Sequence, residues 1–185
     1  GTGIYMSLIV HPNTLLQNAV TTTTAAAVAV CRAIEELSDI KPKIKWVNDV
    51  YVENQKICGI LTEAVSDFEL GIATSVIVGI GINIRTNDFP KEVINAGALN
   101  ADIKRADLIA AVADALLNII GGEYKTFIDY YRSHSMIIGK KINYIENGKV
   151  TPAEAISIDE TGGLVVKTAD GAEKTLKSGD ISIRW

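Results

Sequence analysis

The chain has 185 residues, 48% of them apolar and 22% charged, with 18 Lys+Arg against 22 Asp+Glu for a net charge of -4. This is a core-forming composition, long enough for one ordinary domain or one with a small appendage, and it excludes a disordered chain. The acidic balance argues against a nucleic-acid module, which needs cations to neutralise a phosphate backbone. Residues 1 to 31 carry no charged side chain, yet they do not read as a membrane span. Pro12, Asn13, Gln17, Asn18 and Thr21 to Thr24 interrupt the roughly 20 apolar residues that a span requires. The apolar run Leu70 to Ile84 is also too short, and no basic, signal-type segment opens the chain. Cys31 and Cys58 suggest neither a disulfide framework nor a zinc site; they read as reduced, buried small hydrophobes of a cytoplasmic protein.

Gly1 to Val10 predicts a strand on Ile4, Tyr5, Leu8 and Val10, followed by a polar loop at His11 to Asn13. Thr22 to Leu37 predicts a helix, because Ala26, Ala29, Val30, Ala33, Ile34 and Leu37 recur at helical spacing. The threonines before it are weak helix formers and blur its start. Ile44 to Trp46, Val50 to Val52 and Lys56 to Val65 read as strands, the last two joined as a hairpin by a turn at Glu53-Asn54-Gln55. Ser75 to Ile84 is a nearly unbroken apolar strand, expected to be buried on both faces.

Thr86 to Ile103 is polar and irregular. Arg105 to Ile120 predicts a second helix with Leu108, Ile109, Val112, Leu116, Ile119 and Ile120 as its buried stripe, stopped by Gly121-Gly122. Lys125 to Ser133 predicts a third, anchored by Phe127, Tyr130 and Tyr131. Beyond Met136, turn signals at Glu146 to Gly148, Asp159 to Gly163, Ala169 to Gly171 and Ser178 to Asp180 predict a small antiparallel barrel. The expectation is α+β: a mixed sheet with flanking helices over 1–135, then an all-β unit over 136–185.

Polar chemistry is densest between Lys45 and Glu63. A hairpin turn near Asn54 would return Lys56 toward Asn48 and Asp49, bringing a cation and a carboxylate together beside Gly59. Such a group could hold an anion; on pattern alone, a surface hairpin with solvated lysines is the alternative. Gly79-Ile80-Gly81-Ile82-Asn83 lacks the third glycine and the helix opening of a dinucleotide fingerprint. It reads either as a packed central strand or as one whose backbone lines a pocket with Asn83 at the rim. His11 and His134 have no metal-ligand spacing, the serines no nucleophile-elbow context, and no phosphate-binding Gly-x-x-x-x-Gly-Lys-Ser/Thr loop occurs.

Four ordered segments resemble the biotin protein ligase family: Gly3-Ile4-Tyr5-Met6-Ser7-Leu8, Lys45-Trp46-Val47-Asn48-Asp49, Lys56-Ile57-Cys58-Gly59-Ile60-Leu61-Thr62-Glu63 and Val78-Gly79-Ile80-Gly81-Ile82-Asn83. The tail Ser178 to Arg184 is similar to the closing strand of that family's C-terminal SH3-like domain. The resemblance implies a sheet-and-helix fold shared with class II aminoacyl-tRNA synthetases, then a small SH3-like barrel. It implies ligation of biotin, through biotinyl-5′-AMP, to a lysine of a biotin carboxyl carrier domain. Lys56 and Asp49 would be catalytic, and Lys56, Gly59, Leu61 and Trp46 would meet biotin. Asn83, Asn48 and Lys45 would meet the nucleotide, the alternative for Lys45 and Asn48 being only to brace the hairpin. ATP and Mg2+, the metal held by phosphate oxygens rather than by the protein, would complete the reaction.

Val47 stands where the family usually has proline. The resemblance also places a Gly/Arg-rich loop, a biotin-gripping strand and, in ligase-repressors, a DNA-binding domain upstream of Gly1, so the chain is expected to carry one part of the active site. The alternatives are a non-catalytic carrier-binding or homodimerising module, and a lipoate or octanoate ligase of the same fold.

Overall fold

The structure is a computed structural model describing residues 1–11, 19–67, 72–86, 88–90, 93, 95–122, 124–146, 148–177 and 181–183. Strands β1 (Gly3–Val10), β2 (Lys43–Lys45), β3 (Asp49–Val52), β4 (Gln55–Asp67) and β5 (Ile72–Asn83) form one sheet in the order β1-β5-β4-β3-β2. Every ladder in it is antiparallel. Among the described residues, the mixed character expected is confined to two isolated parallel bridges, Ile44 with Ser135 and Lys56 with Ala96.

Strand alternation sorts the side chains onto two faces. On one, Ile4, Ile82, Cys58, Val50 and Ile44 form a row across all five strands, none more than 3% exposed. Helix α1 (Ala19–Leu37) packs against β3, β4 and β5, with α2 (Arg105–Gly121) and α3 (Tyr124–His134) beside it. Thr21 to Cys31 is buried without a break, which is why a charge there would be costly and none occurs before Arg32.

The helix starts earlier than propensity predicts because its threonine hydroxyls find partners. Thr24 Oγ1 donates to Thr21 O at 2.9 Å, Thr21 Oγ1 to Thr161 O at 2.8 Å, and Thr23 and Thr62 share a bond of 2.7 Å.

Strand β5 is not buried on both faces. Val76, Val78, Ile80 and Ile82 are buried, whereas Ser75, Ile77, Gly79, Gly81 and Asn83 are half-buried on the opposite side. Continuous apolarity hid this alternation because glycines occupy part of the open face. Helix α2 buries Leu108, Val112, Leu116 and Ile119, but Ile109 is exposed and Ile120 half-buried, since contact with α1 and β1 covers only a narrow seam. Phe127, Ile128 and Tyr131 anchor α3, with Tyr130 half-buried.

Strands β6 (Lys141–Glu146), β7 (Lys149–Ile158), β8 (Leu164–Thr168), β9 (Glu173–Leu176) and β10 (Ile181–Ile183) form a second antiparallel sheet, ordered β10-β6-β7-β8-β9. Its core includes Ile142, Tyr144, Ala155, Ile158, Leu164 and Val166. Cys31 and Cys58 are free and buried, and burial pushes both thiols well above their ordinary value. Among the described residues, no helix is long and apolar enough to cross a membrane. The Pro12-Asn13 loop, the start of the Leu70 run, the Ser178 to Asp180 turn and Arg184 lie outside the described residues.

Candidate active site on the open sheet face

The open face of the first sheet carries Tyr5, Gly81, Gly59, Asp49 and Lys45 in one row across all five strands. Ser7, Gly79 and Leu61 form the next row. Glycines at three of these eight positions hollow the surface into a cavity of about 510 Å³. Tyr5 stands beside Gly81, where an added Cβ would lie 3.6 Å from its ring. On the other side Lys56 leans over Gly59, whose added Cβ would lie 3.5 Å from the ammonium. Bare backbone between an aromatic wall and a cation lets a flat ligand approach closely while its anionic end is neutralised.

Lys56 reaches this face through a β-bulge. Val50 pairs with Cys58 but Tyr51 with Lys56, so Ile57 is the extra residue in β4. Ile57 and Cys58 are consecutive and both buried, and the alternation beyond them is reversed. Lys56 Nζ lies 2.6 Å from Asp49 Oδ1, with the lysine side chain 40% exposed and the aspartate 15%. Oδ1 is buried and has no well-aligned hydrogen-bond donor, so charge attraction to the ammonium is what compensates it. At this depth the attraction is screened less than in a surface pair.

The backbone of Lys56 is fixed as well. Its N–H donates to Asn95 O at 2.7 Å, and its carbonyl accepts from Gly97 N at 2.9 Å. Asn83 Nδ2 donates in turn to Gly97 O at 3.1 Å, so the 95–97 segment straps the end of the hairpin to the end of β5. Across the site, Asn48 Nδ2 donates to Ile60 O at 2.8 Å and Asn48 O accepts from Ile60 N at 3.0 Å.

Of the residues singled out from sequence, Lys56, Gly59, Leu61 and Asn48 line the cavity, and Asp49 stands behind Lys56. Lys45 ends the same row beyond Asp49 but is not in the lining. Asn83 is also outside the lining, its amide engaged by Gly97.

Trp46 is not brought to the cavity. Its side chain is 3% exposed and its Nε1–H donates to Gly162 O of the second sheet at 2.9 Å, because it follows Lys45 at the end of β2 and turns away from the open face. The Trp46-Val47 peptide is cis. Tyr5 and Ser7, which face the cavity, were not among the sequence candidates. Their signal was the alternation of β1, in which they are exposed while Ile4 is buried. Two other hollows, about 650 Å³ beside Gly1 and α2 and about 320 Å³ on the second sheet, contain no buried carboxylate in their lining.

The Biotin/lipoate A/B protein ligase family pattern matches residues 1–83, and the Biotin protein ligase C terminal domain matches residues 137–184. The Bifunctional ligase/repressor BirA of Bacillus subtilis is 33% identical over 195 residues, an alignment covering 99% of this chain and 59% of that protein. The chain therefore spans less than two thirds of that relative's length. The crystal structure of biotin protein ligase from Aquifex aeolicus is similar with a TM-score of 0.83 and 26% identity, covering 99% of this chain and 82% of that one. The same ligase in complex with biotin and ATP gives a TM-score of 0.80 at 26% identity, covering 99% and 78%. With both regions matched in order and the fold shared over nearly its whole length, the chain carries a Biotin/lipoate A/B protein ligase family region followed by a Biotin protein ligase C terminal domain.

Proposed function

We propose that this chain forms the core of an enzyme that activates biotin with ATP and transfers it to a lysine of a biotin carboxyl carrier domain. The observation that carries the reading is the Lys56 ammonium held by Asp49 at 2.6 Å over the Gly59 and Gly81 floor. Biotin has a compact bicyclic body and one carboxylate on an aliphatic arm. Its body would lie on the glycine backbone between Tyr5 and Leu61, with the carboxylate at Lys56.

In the first step a carboxylate oxygen attacks the α-phosphorus of ATP. Biotinyl-5′-AMP forms as the bond to pyrophosphate breaks. In the second, the carrier lysine's neutral amine attacks the acyl carbon, AMP leaves, an amide forms and the surplus proton passes to solvent. Negative charge concentrates on oxygens beside Lys56 in both transition states, where a pre-positioned ammonium lowers the barrier. Asp49 serves both steps by keeping that ammonium aimed. Asn48, doubly tied to Ile60, acts as the brace of the hairpin. Lys45 and the second Asn83 Nδ2–H, which the single bond to Gly97 O leaves over, are assigned to nucleotide phosphates.

Mg2+ would arrive with ATP and be held by phosphate oxygens; among the described residues no three His, Cys, Asp or Glu converge on a metal. The proposal divides the chain at 135/136, places the protein in the cytoplasm and has it pair as a homodimer through the sheet. The Aquifex relative, solved with biotin and ATP, and the C-terminal domain match support biotin over lipoate or octanoate. The test is transfer of labelled biotin to a carrier domain by the full product of the gene. Transfer is expected with the wild type and lost in Lys56→Ala; undiminished transfer by that variant refutes the assignment.

A further inference from the structure

We propose that Trp46 is a positioning residue through which the second sheet's Asp159–Gly163 turn sets how Asp49 holds Lys56, an inference that rests on the function proposed above.

Four consecutive residues are anchored to four different places. The Trp46 indole donates to Gly162 O at 2.9 Å, and Val47 O accepts from Tyr131 Oη of α3 at 3.2 Å. Asn48 is tied to Ile60 of β4, and Asp49 holds Lys56. The last two anchors lie within the hairpin. The first comes from the opposite end of the sequence.

The turn that supplies it is built as a rigid block. Asp159 Oδ1 accepts from Thr161 N, Thr161 Oγ1 and Gly163 N, each at 2.8 Å. The block is docked on the first unit by Thr21 Oγ1 to Thr161 O at 2.8 Å and Arg132 Nε to Ile158 O at 2.7 Å. Gly162 has φ of +87° and lies so close to α1 that a Cβ would be 2.9 Å from Thr24 Oγ1, so its carbonyl has little room to move. A buried indole N–H needs its acceptor, which makes the turn a fixed point for the loop that ends in Asp49. The cavity floor, by contrast, stands on β1, β4 and β5, whose pairing does not involve Trp46. Loosening the anchor therefore misaligns the Asp49–Lys56 pair but leaves in place the β1, β4 and β5 floor, which makes most of the contact with biotin.

The test uses the full product of the gene carrying Trp46→Phe, which keeps an aromatic ring but has no N–H to donate. Biotin-dependent pyrophosphate release is expected to fall about tenfold in kcat, while the calorimetric biotin Kd stays within about twofold. Asp159→Ala, made in the turn, should give the same split, and the double variant should be no slower than the slower single one. Unchanged kcat in Trp46→Phe, equal losses in kcat and biotin affinity, or losses that multiply in the double variant would overturn the inference.

A wild-type protein that forms no biotinyl adenylate would refute the proposed function but leave the coupling measurable. The Ile60 amide, bonded to Asn48 O, should then exchange its hydrogen faster in both variants while the core amide of Val78 keeps its protection. Unchanged protection at Ile60 would overturn the coupling itself.

Discussion

A methyl group placed at Gly59 would meet Lys56 Cε at 3.4 Å, Lys56 Nζ at 3.5 Å and Asp49 Oδ1 at 3.9 Å, with no backbone in the way. Gly59→Ala is thus tolerated by the protein. Alanine in a strand also removes freedom from the unfolded chain, which favours folding by about 0.5–1 kcal/mol. For a chain of this size each kcal/mol moves Tm by about 2–4 °C, so a small rise is expected. The same methyl stands on the floor of the cavity, directly under the path from the ligand body to the ammonium. A biotin lifted by about one bond length loses its contact with the backbone of the floor. A ten- to hundredfold rise in Kd is expected, equivalent to about 1.4–2.8 kcal/mol. Calorimetric titration with biotin, paired with thermal unfolding, separates the two effects. An unchanged Kd would remove the ligand from this floor, and a Tm lowered by several degrees would show that the glycine is there for packing instead.

The same substitution at Gly97 has the opposite sign for folding, because its Cβ would lie 2.5 Å from Gln55 Cβ and 2.6 Å from Gln55 Oε1. Gly97→Ala should push the strap away from Lys56 and cost about 1–3 kcal/mol in urea denaturation, with faster hydrogen exchange at the Lys56 amide; a neutral result would refute the contact. At the α1–α3 junction, burial alone would raise the Glu35 carboxyl. The Tyr130 hydroxyl bond and the His134 and Lys41 charges outweigh it and hold the group below its ordinary 4.5. A depressed carboxyl contributes stability above its unfolded value and loses it as pH falls through the folded one. Glu35→Gln should therefore be less stable than wild type at pH 7, with the gap closing below about pH 4. A gap independent of pH would refute the ionic account.

The order of elements was legible because it rests on local chemistry. Helical spacing marked α1 and α2, and turn residues marked the second sheet. Ile109 was misassigned to the buried stripe because periodicity describes a helix face but not the width of the seam it meets. The closeness of Lys56 and Asp49 was also legible, since a tight turn at Glu53 and Asn54 returns Lys56 opposite Tyr51, where its long side chain can reach Asp49 two residues along the facing strand. Trp46 was not, because its partner Gly162 lies 116 residues away and no local pattern links them.

Residue types and spacing determined which groups meet at the hairpin, as that needs only strand propensity and a turn. The face on which they meet was decided by the tertiary structure. Simple alternation would turn Lys56 inward with Cys58 and Ile60, where an ammonium would be costly to bury. The extra residue Ile57 reverses the count, so Ile57 joins the core and Lys56 emerges over Gly59. A bulge depends on how three strands share their hydrogen bonds and on whether the core can take one more isoleucine. Both are properties of the packed sheet rather than of the letters in any one strand.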